Sequence, residues 1–350
     1  MFENFAFTSY CVDINIWGEL KKSIEKYNKI LIVTGEKSFV AVKENLLNAL
    51  GDKYFEIKKY QGECTYEHAD EIYKSSLENN FDLVLGAGGG KAIDTAKIVA
   101  WKMKKDIFIV PTIASTCAGT SALSVVYNSD STLKEFCFYD APPKKIFIDL
   151  ETIKNSPSKY IWAGMGDTLA KFYEVRIKHE YMISKNLPVN FPSAMGVKLS
   201  SLCRDLILEN REKAFYEKNI TEEFKKIVLA VLVNTGMVSN LVDEFLNGAV
   251  AHSVFYGLTV LPRIEKEHLH GEVVSFGILV QLVMEGKQEE YKELLSFYKK
   301  MKFPAKLSDV VVIEEFLEKE EEILKEILNG PDLQNFDFDM SRLKETLFSL

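Results

Sequence analysis

Short apolar runs alternate with helical stretches over the first 150 residues of the chain. Lys29-Ile-Leu-Ile-Val-Thr34, Phe81-Asp-Leu-Val-Leu85, Asp106-Ile-Phe-Ile-Val110 and Lys145-Ile-Phe-Ile-Asp149 are bounded by turn residues. Near-continuous apolar strands separated by helices predict a parallel sheet covered on both faces. After about residue 156 the strand signals stop. Ser156-Pro157 has the form of an N-cap and first helical position. Phe224, Ile227, Val228, Val231 and Leu232 then repeat at helical spacing behind Thr221, a candidate cap. The acidic stretch Glu314–Leu328 ends at Gly330-Pro331, a helix stop, and its charges read as a solvated face. The pattern predicts an α/β nucleotide-binding domain over residues 1–155 and an all-α domain over residues 156–350.

Composition narrows the class. A chain of 350 residues has room for two domains, since a single core rarely grows past about 250–300 residues. With 47% hydrophobic and 27% charged residues it has the make-up of a globular enzyme. A net charge of −8 without a long basic run argues against nucleic acid and anionic membrane surfaces as partners. The apolar run Ile227–Val233 falls far short of the roughly 20 residues that span a bilayer. Met1–Phe7 has no basic segment followed by an apolar stretch, so no secretory signal is expected. Five scattered cysteines, with no Cys-x-x-Cys pair, read as reduced thiols of a cytoplasmic protein.

Two clusters carry candidate chemistry. Gly86, Gly88, Gly89 and Gly90 follow an apolar strand and precede the helical Lys91–Lys97 stretch. Glycines let backbone N–H groups approach a pyrophosphate, and a helix N-terminus adds partial positive charge. The spacing is neither a Walker loop nor Gly-x-Gly-x-x-Gly, and a tight strand-to-helix turn would look the same. The first strand runs into Gly35-Glu-Lys-Ser38, where an acidic residue would bind a ribose 2′-hydroxyl and repel a 2′-phosphate. That slot holds Gly35 or Glu36, with Lys37 and Ser38 able to accept a phosphate, so NAD and NADP both stay open.

Three of the five histidines lie between positions 252 and 270. His252, in Ala249-Val-Ala-His-Ser, is expected on a helix, and His270 opens His270-Gly-Glu-Val-Val-Ser. With Asp167, in Gly164-Met-Gly-Asp-Thr-Leu-Ala-Lys171, they make an Asp/His/His set with a fourth position free, the usual catalytic zinc arrangement. Singly, each histidine suits a core or capping role better. His268 competes with His270, while His68 and His179 have no supporting context.

These motifs, with Pro111-Thr-Ile-Ala-Ser-Thr116, Ser121-Ala-Leu-Ser-Val-Val-Tyr127, Gly257-Leu-Thr-Val-Leu261 and His270-Gly-Glu272, follow one another in a known order. They resemble the glycerol dehydrogenase branch of the iron-containing (type III) alcohol dehydrogenases. The resemblance implies a dehydroquinate synthase-like fold, an α/β nucleotide domain joined to a helical one. It puts Asp167, His252 and His270 on the family's metal ligands, hence on the catalytic centre. Gly90, Lys91, Asp94, Thr112, Ser121, Leu123 and Tyr127 fall on its cofactor contacts. Gly88, Gly89 and Ser115 on the same loops, and Gly35 and Glu36 at the first strand end, join that candidate set. Iron-dependent relatives carry a fourth ligand, a histidine, four residues after the aspartate. Here that position is Lys171, which favours zinc over iron as the one divalent metal.

Two positions depart from the glycerol dehydrogenases. Cys117 stands where they have an aspartate that contacts substrate, and Phe255 where a second histidine lines the site. Both changes remove polar partners for a polyol. Thr116-Cys-Ala118 is also similar to hydroxycarboxylate dehydrogenases, which reduce 2-oxo acids. The expectation is a metal-dependent oxidoreductase moving a hydride between NAD(P) and the CH–OH group of a small alcohol or polyol. The alternatives are a 2-hydroxycarboxylate dehydrogenase and a cofactor-binding protein with a decayed site. A dehydroquinate synthase would need a glutamate at position 167 and a dense basic cluster for phosphate. The resemblance also implies a homo-oligomer.

Overall fold

Among the described residues eight strands build two sheets: β1 (Ser9–Asp13), β2 (Lys29–Thr34), β3 (Tyr54–Lys59), β4 (Leu83–Gly88), β5 (Asp106–Pro111), β6 (Leu123–Tyr127), β7 (Leu133–Phe138) and β8 (Lys145–Asp149). The computed structural model describes residues 6–130 and 132–350, so most of the Met1–Phe7 stretch lies outside the described residues. Six strands pair in parallel in the order β1-β8-β5-β4-β2-β3, and β6 and β7 form an antiparallel ribbon.

The central strands are apolar on both faces because both faces are covered. Ile30 and Ile32 of β2 pack with Leu85, Phe108, Phe147 and with Val42 and Leu46 of the Glu36–Leu50 helix. The alternate residues, Leu31 and Val33, pack with Val84 and with Ala96, Ile98 and Val99 of the Gly90–Met103 helix. Period-two side chains thus enter two separate cores. The helices following the neighbouring strands β2 and β4 lie on opposite faces of the sheet. Such a switch opens a crevice outside the carboxyl ends of those strands.

Ser156 does not cap a following helix as expected. It ends the Leu150–Asn155 helix in extended conformation, its hydroxyl donating to Ile153 O (2.7 Å), and the next helix begins at Lys159. Thr221 does cap: its Oγ1 accepts the Phe224 N–H at 3.2 Å. That helix runs Glu222–Leu229, widens into a π turn over Ala230–Asn234 and finishes as Thr235–Leu241. Its 20 residues are long and apolar enough to cross a membrane, yet 67% of its apolar window is buried inside the protein. It is a core helix.

The described residues up to Ile161, together with Lys218–Asn240, form one compact unit, and Trp162–Glu217 with Leu241–Leu350 form another. Among the described residues the second unit has no strand. Its helices include Phe191–Tyr216, Val250–Leu258, His270–Glu285 and most of Lys159–Ser184.

Candidate active site

In the second unit, glycines set the distances between the three helices that carry the candidate ligands. A methyl on Gly166 would overlap the carbonyl oxygen of Gly271, and one on Gly271 would overlap that of Ala163. The Lys159–Ser184 and His270–Glu285 helices therefore touch main chain to main chain, one residue away from Asp167 and from His270. A methyl on Gly277 would likewise overlap Ala251 O, next to His252. Small residues at crossings let backbones approach, and the neighbouring side chains are drawn together with them.

Asp167, His252 and His270 consequently converge, with one donor atom from each lying within 4.8 Å of the others. Asp167 Oδ1 is 3.5 Å from His252 Nε2 and 3.3 Å from His270 Nε2. Burial would push the Asp167 carboxyl up, but the two imidazoles overcome it and hold it well below the usual carboxylate range. For His252, burial opposes the charged form, yet Glu174 and Asp167 lift its pKa to about 10.

Glu174 is the functional candidate the sequence reading passed over. It is fully buried. Its Oε2 lies 2.6 Å from His252 Nδ1, and its Oε1 accepts the N–H groups of Ala249 and His252 at 2.8 Å. A carboxylate on Nδ1 fixes the tautomer and turns Nε2 toward Asp167. The available signal was spacing, since Glu174 falls seven residues after Asp167 on the same helix face.

The other positions sort cleanly. Lys171 is buried, and its ammonium donates to Asn247 O (2.6 Å) and Oδ1 (2.9 Å). A protonated amine has no lone pair to offer a cation. His268 pairs with Glu272 Oε1 at 3.1 Å and stands outside the triad. Phe255, 2% exposed, sets its ring edge-on to His270, centroids 4.4 Å apart at 83°. His270 Nδ1 has no hydrogen-bond partner among the described residues, so its ring is oriented by the Phe255 edge and by Asp167 at Nε2.

The cofactor candidates lie in the first unit. Gly35, Glu36, Gly88, Gly89, Gly90, Lys91, Thr112 and Ser115 are at or just past the carboxyl ends of β2, β4 and β5, Asp94 is within the Gly90–Met103 helix, and Ser121, Leu123 and Tyr127 are before or on β6. Gly86 and Gly88 are required by packing: added methyls would meet Ala96 Cβ at 2.8 Å and Ala92 Cβ at 2.7 Å. Gly89 caps the Gly90–Met103 helix with no side-chain hydrogen bond to its first amides. Gly90 lies under Thr116, whose Oγ1 would be 3.0 Å from a methyl there. Lys91 Nζ sits 2.6 Å from Glu63 Oε1 and 5.0 Å from the centre of the Tyr127 ring. Gly35 N donates to Ser38 Oγ (2.9 Å), and that hydroxyl would lie 3.2 Å from a methyl on Gly88. Glu36 is exposed and paired with Lys59. Thr112 is buried, its N–H donating to Gly88 O at 3.0 Å, while Ser115 and Cys117 are half-buried on the same loop. Asp94 is buried against Lys97 at 2.7 Å, and Lys97 reaches Ser121 Oγ (3.5 Å) and Leu123 O.

Comparison with known proteins completes the picture. A family model described as iron-containing alcohol dehydrogenase matches residues 8–149. The glycerol dehydrogenase of Thermotoga maritima is 36% identical over 290 residues, covering 79% of this chain and 78% of its own. The chain belongs to the iron-containing alcohol dehydrogenase family. It is an oxidoreductase acting on CH–OH donors. Hydroxycarboxylate dehydrogenase A of Escherichia coli is 32% identical over 291 residues, covering 82% of this dehydrogenase and 79% of its own chain. The fold agrees: a glycerol dehydrogenase structure from Schizosaccharomyces pombe superposes with TM-score 0.82 at 25% identity, covering 98% of this chain and 89% of that one. A probable glycerol dehydrogenase from Sinorhizobium meliloti gives TM-score 0.86 at 24% identity, covering 98% and 97%.

Proposed function

We propose that this dehydrogenase holds one divalent cation, zinc rather than iron, through Asp167, His252 Nε2 and His270 Nε2. We further propose that it uses NAD or NADP to interconvert a small polyol of the glycerol type and its carbonyl form. The observation that carries this reading is the convergence of one carboxylate and two imidazoles, one of them fixed by Glu174. A one-oxygen, two-nitrogen donor set on rigid helices fits zinc with a position left for substrate. Such a cation supplies Lewis acidity, which can bring a bound hydroxyl's pKa from about 15.7 to about 7, worth about 12 kcal/mol.

The protein's own groups do the rest. Glu174 would hold the His252 Nδ1 proton, so that once an incoming cation displaces the other ring proton it is Nε2 that offers a lone pair. Lys171 stays on Asn247 and adds no ligand. The start of the helix after Gly89, where the cap residue carries no side chain, and the Lys91 ammonium suit a pyrophosphate. At the ribose end, Glu36 is already paired with Lys59 and Gly35 offers no carboxylate, which favours acceptance of both NAD and NADP.

Cys117 and Phe255 support a second reading, reduction of 2-oxo acids, since neither offers a polyol a hydroxyl partner. The test is a zinc-reconstituted assay of NADH and NADPH oxidation against dihydroxyacetone and a panel of 2-oxo acids. Preferred turnover of dihydroxyacetone upholds the polyol reading, and preference for 2-oxo acids replaces it. Asp167→Ala should abolish turnover while leaving NADH binding intact, and an active variant would refute the metal site.

A further inference from the structure

The loop from Pro111 to Leu123 is fastened by residues far from it in sequence. Thr120 is buried, and its hydroxyl donates to Leu232 O at 2.5 Å. Leu232 lies within the π turn Ala230–Asn234. A π turn moves the backbone pairing by one residue, which can leave a carbonyl short of its helical donor. Asn240, two turns on, grips the loop twice: its Nδ2 donates to Thr120 O and its Oδ1 accepts the Ala122 N–H, both at 2.8 Å. Between the two sits Gly236, where any methyl would overlap Thr120 Oγ1.

A second fastening comes from the helix that follows the glycine turn. Lys97 is 3% exposed. Its ammonium donates to Ala118 O (2.8 Å) and to Leu123 O, and pairs with Asp94 at 2.7 Å. All three of its protons are thereby used. The loop is thus pinned at Ala118, Thr120, Ala122 and Leu123, while Ser115 and Cys117 lie on the span between these anchors and Thr112, whose N–H donates to Gly88 O.

We propose that Thr120, Asn240 and Lys97 are positioning residues that set this loop in the shape that receives the nicotinamide cofactor, with the π turn as its seat. The proposal rests on the reading of Thr112, Ser115, Ser121 and Leu123 as cofactor contacts. None of the three positioning residues needs to touch the cofactor. Each acts by leaving the loop one shape, so its loss converts a preformed site into one that must be ordered on binding.

The test measures NADH and NADPH affinity by nicotinamide fluorescence in the full-length, zinc-loaded enzyme, alongside steady-state kinetics. Thr120→Val keeps the shape and removes the donor, and Asn240→Asp keeps the acceptor for Ala122 while losing the donor to Thr120. Both should weaken cofactor binding about tenfold, the cost of one buried group left unpaired. The cofactor KM should rise by the same factor while kcat at saturating cofactor holds. Thr120→Ser, which keeps the hydroxyl, should bind as the native protein does. If native protein binds cofactor and Thr120→Val and Asn240→Asp bind it equally well, the positioning role is overturned. The same holds if Thr120→Ser is as weak as Thr120→Val, because keeping the hydroxyl would then fail to keep the binding. Failure of the native protein to bind either nucleotide would instead bring down the cofactor reading itself.

Discussion

Glu174 holds His252 at two points, taking the ring Nδ1 with one carboxylate oxygen at 2.6 Å and the backbone N–H of the same residue with the other at 2.8 Å. The second contact, shared with the Ala249 N–H, satisfies the first amides of the Val250–Leu258 helix. One buried carboxylate therefore ends a helix and aims an imidazole. His270 has no such partner and leans on the Phe255 edge.

Glu174→Gln should weaken zinc binding by about 10–100-fold, the usual effect of removing an outer carboxylate from a ligating histidine. Competition with a chromogenic chelator measures it. Unchanged affinity would leave Glu174 as a helix cap and nothing more.

Gly271→Ala should cost at least about 1–3 kcal/mol of stability, because the added methyl meets rigid backbone at Ala163 and no side chain can swing away. Gly18→Ala, where a methyl has nothing within 4 Å, is the matched control and should be neutral or slightly stabilising. Thermal melting of both variants decides the matter. A Gly271→Ala protein that melts with the control would mean the helices slide apart freely.

Asp332 makes the metal-free protein sensitive to pH. Burial, then the Glu174 carboxylate, lift its carboxyl to about 6 against the pull of His252, Lys178 and Lys171. A raised carboxyl favours the folded state in its protonated form. That contribution is full below about pH 4 and is lost as the pH rises through about 6, a swing of up to about 3 kcal/mol. Relative to Asp332→Asn, the wild-type melting temperature should fall across this window and level off above it. A constant difference between the two proteins would contradict the assignment.

Gly35→Asp should shift the enzyme toward NADH. A carboxylate at the end of β2 would bind a ribose 2′-hydroxyl and repel a 2′-phosphate. The ratio of kcat/KM for NADPH over NADH should drop by about tenfold or more, a penalty of about 1.4 kcal/mol. No change in that ratio would move the ribose away from Gly35.

Fully buried elements were the legible ones. β2, β5 and β8 read directly because continuous apolar runs mark strands covered on both faces. β1 and β3 are the edges of the sheet, half-exposed, and their mixed sequences Ser-Tyr-Cys-Val-Asp and Tyr-Phe-Glu-Ile-Lys-Lys carry no such run. The β6–β7 ribbon was hidden for the same reason, with Lys134 and Glu135 breaking the second strand. Asp167, His252 and His270 were visible as residue types in motifs. Glu174 was not, because a glutamate inside a long helix looks solvated until the fold shows it buried. Thr120 and Asn240 escaped because the partners that fasten the loop are backbone atoms, which leave no trace in side-chain patterns. Lys97 escaped because, beside Asp94, its hold on the loop runs through Ala118 O and Leu123 O. The glycine turn was visible but ambiguous: packing against Ala92 and Ala96 accounts for Gly88 and Gly86 by itself.

The crossings at Gly166, Gly271 and Gly277 make the spacing of the three ligands a property of the main chain. A cation would meet walls already standing and would organise nothing, unlike the ion in a zinc finger, whose binding is its folding. Stripping the enzyme with a chelator should therefore return an inert protein with its helices in place, and adding the ion back should restore turnover without a refolding step. Such a cage is indifferent to the order of events in the cell, so the chain can fold first and find its metal later.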